Sequence, residues 1–108
     1  MINKIKKTLA IGSTGSLTGF GAVDALLNNF ELSFSKVFAC DINPAYLIAA
    51  SHIADGYIKL PQSQIEAHCE AIAEMLLFNK VDVFYPIHDK EIKIVAANKD
   101  IFDQYNII

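Results

Sequence analysis

The chain has 108 residues, 53% of them hydrophobic and 19% charged, and a formal net charge of −3. This length suits one domain with a single core, and the composition excludes a disordered chain. The sequence has no basic stripe with interleaved aromatic side chains, which argues against nucleic-acid binding. No run approaches the roughly 18 apolar residues of a membrane span, so we expect no membrane association.

Two isolated cysteines, Cys40 and Cys69, show neither a CxxC motif nor a metal-ligand spacing. Isolated cysteines of this kind are usually reduced and not paired in disulfides, and we therefore expect a cytoplasmic protein. The apolar run at residues 8–11 is too short for the core of a signal peptide. His52 and His68 have no partner at ligand spacing, so we expect no metal site.

The first half of the chain alternates between strand and helix patterns. Residues 8–13 form the first predicted strand, and residues 36–41 the second. The helix between them has an apolar face at the i, i+3, i+4, i+7 spacing: Val23, Leu26, Leu27 and Phe30. After the second strand, Pro44 suits the first turn of a short helix predicted through residues 45–51.

The second half repeats this alternation, with strands predicted at residues 56–60 and 81–87. The helix between them should begin at Ser63, because Ser63 and Glu66 have the spacing of a capping box. Its predicted buried stripe is Ile65, Cys69, Ile72 and Leu76. The last helix should follow residue 88, with these side chains inward: Ile92, Val95, Ala96 and Phe102.

This order of strands and helices predicts an α/β fold of three layers. The sheet should be parallel and Rossmann-like, with helices on both faces. We expect four strands, or five if the apolar residues 107–108 begin another. The chain should form a single domain over residues 1–108, excised from a longer protein.

Four of the five glycines lie in a loop between Gly12 and Gly21, directly after the first strand. Such a loop can aim main-chain N–H groups and a helix N-terminus at an anionic or polar ligand. The alternative is a tight turn that needs glycine only for packing. The candidate ligand-binding residues of the loop are Gly12, Ser13, Thr14 and Gly15, with Ser16 as a further hydroxyl.

Two more polar groups follow strands, and ligands of parallel α/β sheets bind at the carboxyl ends of strands. Asp41 ends the second strand, where dinucleotide-binding folds place the acidic residue that contacts ribose. The alternative is an aspartate that only satisfies the adjacent turn. His88, Asp89 and Glu91 follow the fourth strand and could hold an ammonium, an amide or a metal-bound phosphate, or could simply cap a helix.

Five segments together resemble a known family. They are the glycine loop, Cys-Asp-Ile-Asn-Pro at 40–44, Ala-Asp-Gly-Tyr-Ile-Lys-Leu-Pro at 54–61, Val-Asp-Val-Phe-Tyr-Pro-Ile-His-Asp-Lys-Glu at 81–91 and Asn-Lys-Asp-Ile-Phe at 98–102. In this order they resemble the N-terminal domain of ATP-grasp enzymes. The resemblance is closest to the branch of carbamoyl phosphate synthase, which includes amino-acid ligases.

The resemblance implies a pre-ATP-grasp domain that helps form a small-molecule substrate site beside a C-terminal ATP-grasp domain. In such enzymes ATP and Mg²⁺, bound mainly outside this domain, convert a carboxylate into an acyl phosphate that an amine then attacks. We therefore expect no catalytic residue in this chain. The implied substrate-binding residues are Gly12, Ser13, Thr14, Gly15, Asp41, His88, Asp89 and Glu91. Their implied role is polar contact with the acceptor substrate, and with the acyl phosphate through N–H groups of the loop. A homodimer is a further possible assembly of this chain.

An NAD(P)-binding domain of a short-chain reductase is the main alternative, because the spacing from Thr14 to Gly21 resembles the nucleotide loop of that family. Those enzymes need a Tyr-x-x-x-Lys pair, however, and no tyrosine here has a lysine four residues later. A free-standing module that binds a nucleotide or another small molecule is a third possibility.

Overall fold

The structure, a computed structural model, describes residues 7–28, 34–62 and 65–108. Within these ranges, four strands form one parallel sheet in the order β3-β2-β1-β4. The strands are β1 (Lys7–Ile11), β2 (Phe34–Asp41), β3 (Gly56–Lys59) and β4 (Val83–Tyr85). The predicted α/β fold with a four-stranded parallel sheet is therefore confirmed.

Four α-helices lie in the described part of the chain: α1 (Leu17–Leu27), α2 (Cys69–Phe78), α3 (Asp89–Ala97) and α4 (Lys99–Gln104). As predicted for α1, Val23 is buried and Leu26 and Leu27 pack against the core, whereas Phe30 lies outside the described residues. None of these helices is long and apolar enough to cross a membrane.

The helix predicted at residues 45–51 is instead two short 3₁₀ helices, Ala45–Leu47 and Ala49–His52. The residue between them, Ile48, has extended backbone angles (φ −115°, ψ 109°) and is buried in the core. Because an extended residue cannot continue a helix, burial of Ile48 divides the segment.

The predicted start of the next helix, Ser63, lies outside the described residues. A 3₁₀ turn at Glu66–His68 leads into α2, in which Cys69, Ile72 and Leu76 are buried as predicted. Ile65 is 41% exposed, so its predicted place in the buried stripe was wrong. Its extended backbone precedes the helix and therefore lies off the helical face.

The last predicted helix is divided at Asn98, whose side-chain amide donates to the Ile94 carbonyl oxygen at 2.8 Å. Phe102 is buried as predicted, but Ile92 and Ala96 are exposed. The inward face of α3 instead contains Glu91, which is 1% exposed. Because the Ser13 hydroxyl, in the loop after β1, donates a hydrogen bond to Glu91, the helix turns this carboxylate inward and leaves Ile92 outside.

The core consists of two clusters of buried side chains. Ala10 of β1 belongs to one cluster, with residues of α2 and α4, whereas Leu9 and Ile11 belong to the other, with Val23 of α1. Successive residues of a strand point to opposite faces of its sheet. The two clusters therefore lie on opposite faces of the sheet, and the three layers with helices on both faces stay a prediction.

Candidate functional site

The loop after β1 is held by main-chain hydrogen bonds to two neighbouring strands. The Gly12 N–H donates to the Tyr85 carbonyl oxygen of β4, and the Thr14 N–H donates to the Cys40 carbonyl oxygen of β2, each at 3.0 Å. The buried Thr14 hydroxyl donates to the same Cys40 oxygen at 3.0 Å. These contacts place the loop across the carboxyl ends of the strands.

Close packing involves two glycines, Gly12 in the loop after β1 and Gly19 in the first turn of α1. A Cβ atom at Gly19 would lie 2.5 Å from the Ser13 carbonyl oxygen, and one at Gly12 would lie 2.7 Å from Glu91 Oε2. At Gly19 the neighbouring atom belongs to the backbone, so this position must stay bare, whereas a Cβ at Gly12 would require the Glu91 carboxylate to shift. Ser13 itself has φ 54°, in the left-handed region that non-glycine residues adopt uncommonly.

The start of α1 is capped within the loop. Ser16 is the N-cap, and its hydroxyl oxygen accepts a hydrogen bond from the Gly19 N–H at 3.0 Å. The same hydroxyl donates to the Ser13 carbonyl oxygen at 2.8 Å. The serine-rich loop therefore satisfies part of its own helix N-terminus, as helix N-caps commonly do.

Asp41 joins the end of β2 to this loop. Its Oδ2 accepts a hydrogen bond from the Gly15 N–H at 2.8 Å, while its Oδ1 accepts from the main-chain N–H groups of Ile42 and Asn43 at 2.8 and 3.2 Å. The Tyr57 hydroxyl donates to the Asn43 carbonyl oxygen. Burial, with a contribution from Asp41, raises the pKa of Tyr57 to about 12. The hydroxyl therefore stays protonated at neutral pH and remains a donor.

Glu91 approaches the loop from the first turn of α3. Its Oε1 accepts from the Ile87 N–H at 2.7 Å, and its Oε2 accepts from the Ser13 hydroxyl at 3.2 Å. The first bond supports the start of the helix, as acidic side chains in a first turn do. The second places a carboxylate beside the glycine loop. Glu91 thus combines the capping role with a position facing the candidate site.

Cys40 lies beside both carboxylates at the end of β2. Burial raises the pKa of its thiol, and the negative charges of Glu91 and Asp41 raise it further. A thiolate is the nucleophilic form of cysteine, and this environment disfavours it. Cys40 is therefore a packing residue of the site.

His88 and Asp89 lie apart from these groups. His88 is the N-cap of α3, where its Nδ1 accepts from the Lys90 N–H at 3.2 Å, and both His88 and Asp89 are exposed. Neither lines the pocket described next. Of the three groups predicted after β4, only Glu91 turns toward the loop.

A partly open pocket of about 200 Å³ lies where the loop, Asp41 and Glu91 meet. Its lining is Ser13, Ser16, Cys40, Asp41, Ile42, Asn43, Leu60, Pro61, Gln62 and Glu91. Gly12, Thr14 and Gly15 are not in this lining, although each bonds to or packs against a residue that is. The structure therefore brings Ser13, Asp41 and Glu91 together from three distant parts of the chain.

Sequence reasoning did not select two polar residues of the lining, Asn43 and Gln62. Both follow strands: Asn43 comes two residues after β2, and Gln62 comes three residues after β3. Their positions just beyond the carboxyl ends of parallel strands were the available signal. Ser16, also in the lining, was predicted only as an additional hydroxyl of the loop.

Among the residues that the structure describes, the pocket lining contains the carboxylates Asp41 and Glu91 but no lysine, arginine or histidine. Such a surface favours a cationic or hydrogen-bond-donating ligand and repels a phosphate chain. The Gly12, Thr14 and Gly15 N–H groups already donate within the chain. Among the described residues, no group of three or more His, Cys, Asp or Glu side chains could hold a metal ion.

Comparison with protein families gives a match that covers most of this chain. The model of the family described as PylC-like, N-terminal domain, matches residues 16–108, which include Asp41, His88, Asp89 and Glu91 but not residues 12–15 of the glycine loop. Comparison with curated proteins gave no match. The family match confirms the resemblance to the N-terminal domain of ATP-grasp enzymes.

Proposed function

The chain belongs to the family of PylC-like N-terminal domains, which precede the ATP-grasp module of ATP-grasp ligases, and on that premise we propose that it is the substrate-binding domain of an ATP-dependent carboxylate–amine ligase. The observation that supports this function is the family match, which spans residues 16–108. The finer assignment, to the carbamoyl-phosphate-synthase-like branch, is part of the same proposal and has the sequence resemblance as its support.

ATP and Mg²⁺, when bound, would supply the phosphoryl transfer that activates a carboxylate. The pocket does not suit them, because Asp41 and Glu91 would repel a phosphate chain and the described residues of the lining include no lysine, arginine or histidine. We therefore assign nucleotide and metal to the ATP-grasp module. The role of this chain is to bind and orient the other substrate.

The pocket suits the amine of that substrate. An ammonium group is attracted by the negative charges of Asp41 and Glu91, and its N–H groups can donate to the Asp41 carboxylate. The Ser13 and Ser16 hydroxyls and the side-chain amides of Asn43 and Gln62 lie in the same lining. These groups could orient an amine-bearing molecule without reacting with it.

The loop geometry disfavours the alternative of a dinucleotide-binding domain. Such domains direct main-chain N–H groups of the glycine loop to a pyrophosphate. Here the Gly15 N–H donates to the Asp41 carboxylate, so a pyrophosphate at this point would meet a negative charge. A dinucleotide would first have to displace Asp41.

Titration of the ¹⁵N-labelled chain with three small probes tests the charge preference of the pocket. We expect glycinamide, a cation, to shift the amide resonances of Gly15, Asn43 and Gln62, and acetate and pyrophosphate to leave them unchanged. Asp41→Asn should abolish the glycinamide shifts, whereas Asp100→Asn, at an exposed site on α4, should retain them. Shifts caused by the anions and not by glycinamide would overturn the proposed amine site.

The ligase assignment is tested in the longer protein that the proposal implies. We expect ADP formation to require both a carboxylic acid and an amine. Asp41→Asn should raise the KM for the amine and leave the KM for ATP unchanged. ADP formation that is independent of any amine, or reduction of a carbonyl by NAD(P)H, would contradict the assignment.

A further inference from the structure

The turn that follows β2, at residues 41–43, is held by a side chain of β3. Tyr57 pairs with Ala39 in the β2–β3 ladder, and its hydroxyl reaches beyond the end of β2 to donate to the Asn43 carbonyl oxygen. The ring of Tyr57 is half-buried and packs against the core cluster that contains Leu9. A ring fixed by the core therefore presents the hydroxyl to the turn.

The same turn determines how Asp41 presents its carboxylate. The Oδ1 atom accepts three hydrogen bonds from the turn itself: from the Ile42 N–H at 2.8 Å, from the Asn43 N–H at 3.2 Å and from the Asn43 side-chain amide at 3.1 Å. Within the described part of the chain, the Oδ2 atom accepts only the Gly15 N–H, at 2.8 Å. Because a carboxylate oxygen has about two lone pairs, Oδ2 is the oxygen that can accept a further bond from a ligand.

The position of the turn depends on a partner from outside it. Pro44 follows Asn43, and a residue before proline is disfavoured from helical backbone angles. The 3₁₀ helix that begins at Ala45 uses the Pro44 carbonyl oxygen, which accepts from the Leu47 N–H at 3.0 Å. The Asn43 carbonyl oxygen is thus left to the Tyr57 hydroxyl, although Tyr57 does not line the pocket.

We propose that Tyr57 is a positioning residue of the pocket: its hydroxyl holds the turn at Asn43, and the turn directs Asp41 Oδ2 to the ligand. Tyr57 touches no ligand and acts only through these two residues. The presentation of Asp41 to an amine rests on the proposed function, whereas the hold on the turn is a property of the chain itself. The two parts are therefore tested by separate measurements.

Tyr57→Phe, which keeps the ring and removes the hydroxyl, tests the hold on the turn. We expect the Ile42 and Asn43 amides to exchange with solvent about fivefold faster in this variant, because the turn opens more often without its anchor. The Gly12 amide, which donates to β4, should keep its rate. The matched control is Tyr46→Phe, at a side chain that is 78% exposed, and it should change none of these rates. Unchanged rates in Tyr57→Phe would overturn the proposal, and so would an equal acceleration at Gly12, which indicates a general loss of stability.

Glycinamide titration of the same two variants tests the consequence for the ligand. We expect Tyr57→Phe to raise the Kd for glycinamide about threefold to tenfold and Tyr46→Phe to leave it unchanged. An equal Kd for Tyr57→Phe and the natural chain would overturn the positioning role. If the natural chain does not bind glycinamide, the amine site fails, and with it the presentation of Asp41 to an amine. The exchange rates still decide whether Tyr57 holds the turn, so the two failures are distinguishable.

Discussion

The Asp41 carboxylate accepts a hydrogen bond from the Gly15 main-chain N–H at 2.8 Å, so the end of β2 holds the loop that follows β1. A Cβ atom at Gly15 would lie 2.8 Å from the same carboxylate oxygen. The loop and the acidic residue, which resemble a dinucleotide site in the sequence, thus bind each other. A ligand in the pocket would therefore contact the loop and Asp41 together.

Replacement of Asp41 by asparagine should destabilise the chain. Asparagine has one acceptor oxygen where aspartate has two, so either the Gly15 N–H or the N–H groups of Ile42 and Asn43 lose their acceptor. We expect the free energy of unfolding to fall by about 1–3 kcal/mol. Urea denaturation measures this loss, and Asp100→Asn is the control. An unchanged midpoint for Asp41→Asn would show that the loop holds its position without this carboxylate.

Two glycines of α1 should respond to alanine in opposite directions. Gly19→Ala places a methyl group 2.5 Å from the Ser13 carbonyl oxygen and should destabilise the chain, whereas a Cβ at Gly21 meets no atom within 4 Å beyond its chain neighbours and the adjacent helix backbone. Gly21→Ala should therefore stabilise the helix by about 0.5–1 kcal/mol. Thermal unfolding of both variants checks the signs. Equal effects would contradict the close approach of loop and helix.

Removal of the Glu91 side chain should cost more stability than its place on a helix suggests. Glu91→Ala leaves the Ile87 N–H and the Ser13 hydroxyl without this acceptor, and we expect a loss of about 2–3 kcal/mol. Lys93→Ala, at an exposed position of the same helix, should change stability by less than about 0.5 kcal/mol. Glu91→Gln keeps one acceptor oxygen, so its loss of stability should lie between the losses of Glu91→Ala and Lys93→Ala. Chemical denaturation ranks the three variants.

The Cys40 thiol should be unreactive in the folded chain. Burial raises its pKa, so at pH 8 little thiolate forms and iodoacetamide should label Cys40 far more slowly than in urea. A Cys69→Ala background isolates the signal. Labelling as fast in the native chain as in urea would contradict this burial.

The raised pKa of Cys40 also predicts a pH dependence of stability. The thiol ionises more readily in the unfolded chain than in the folded one. Its contribution is therefore complete below about pH 8.5, where an unfolded cysteine begins to ionise, and declines as the pH rises above it. From denaturation curves measured between pH 7 and 10, the free energy of unfolding should fall more steeply with pH for the natural chain than for Cys40→Ala. Parallel curves would exclude this linkage.

Nicotinamide cofactors should not stabilise the chain. Because the Gly15 N–H is occupied by Asp41 and the pocket carries carboxylates, we expect no rise of the Tm with NAD(H) or NADP(H) in a thermal-shift assay. Glycinamide, which we expect to raise the Tm, is the positive control in the same assay. A clear rise with either cofactor would favour the reductase alternative.

Local patterns in the sequence determined the order of the elements, the parallel α/β fold and the family. Strand and helix periodicities involve residues a few positions apart, and they were sufficient to identify β1 to β4 and the buried positions of α2. They were insufficient at Ile65 and Ile92, where the inward face depends on what packs against the segment.

The tertiary structure alone decided which polar residues meet. Gly15 and Asp41 are 26 positions apart, and Ser13 and Glu91 are 78 apart, so no periodicity relates them. The sheet order brings the ends of β1, β2 and β4 to one edge, and only there do the glycine loop and the two carboxylates become a single acidic pocket. For that reason the sequence could nominate Asp41 and Glu91 but could not show that one holds the loop while the other turns inward in place of Ile92.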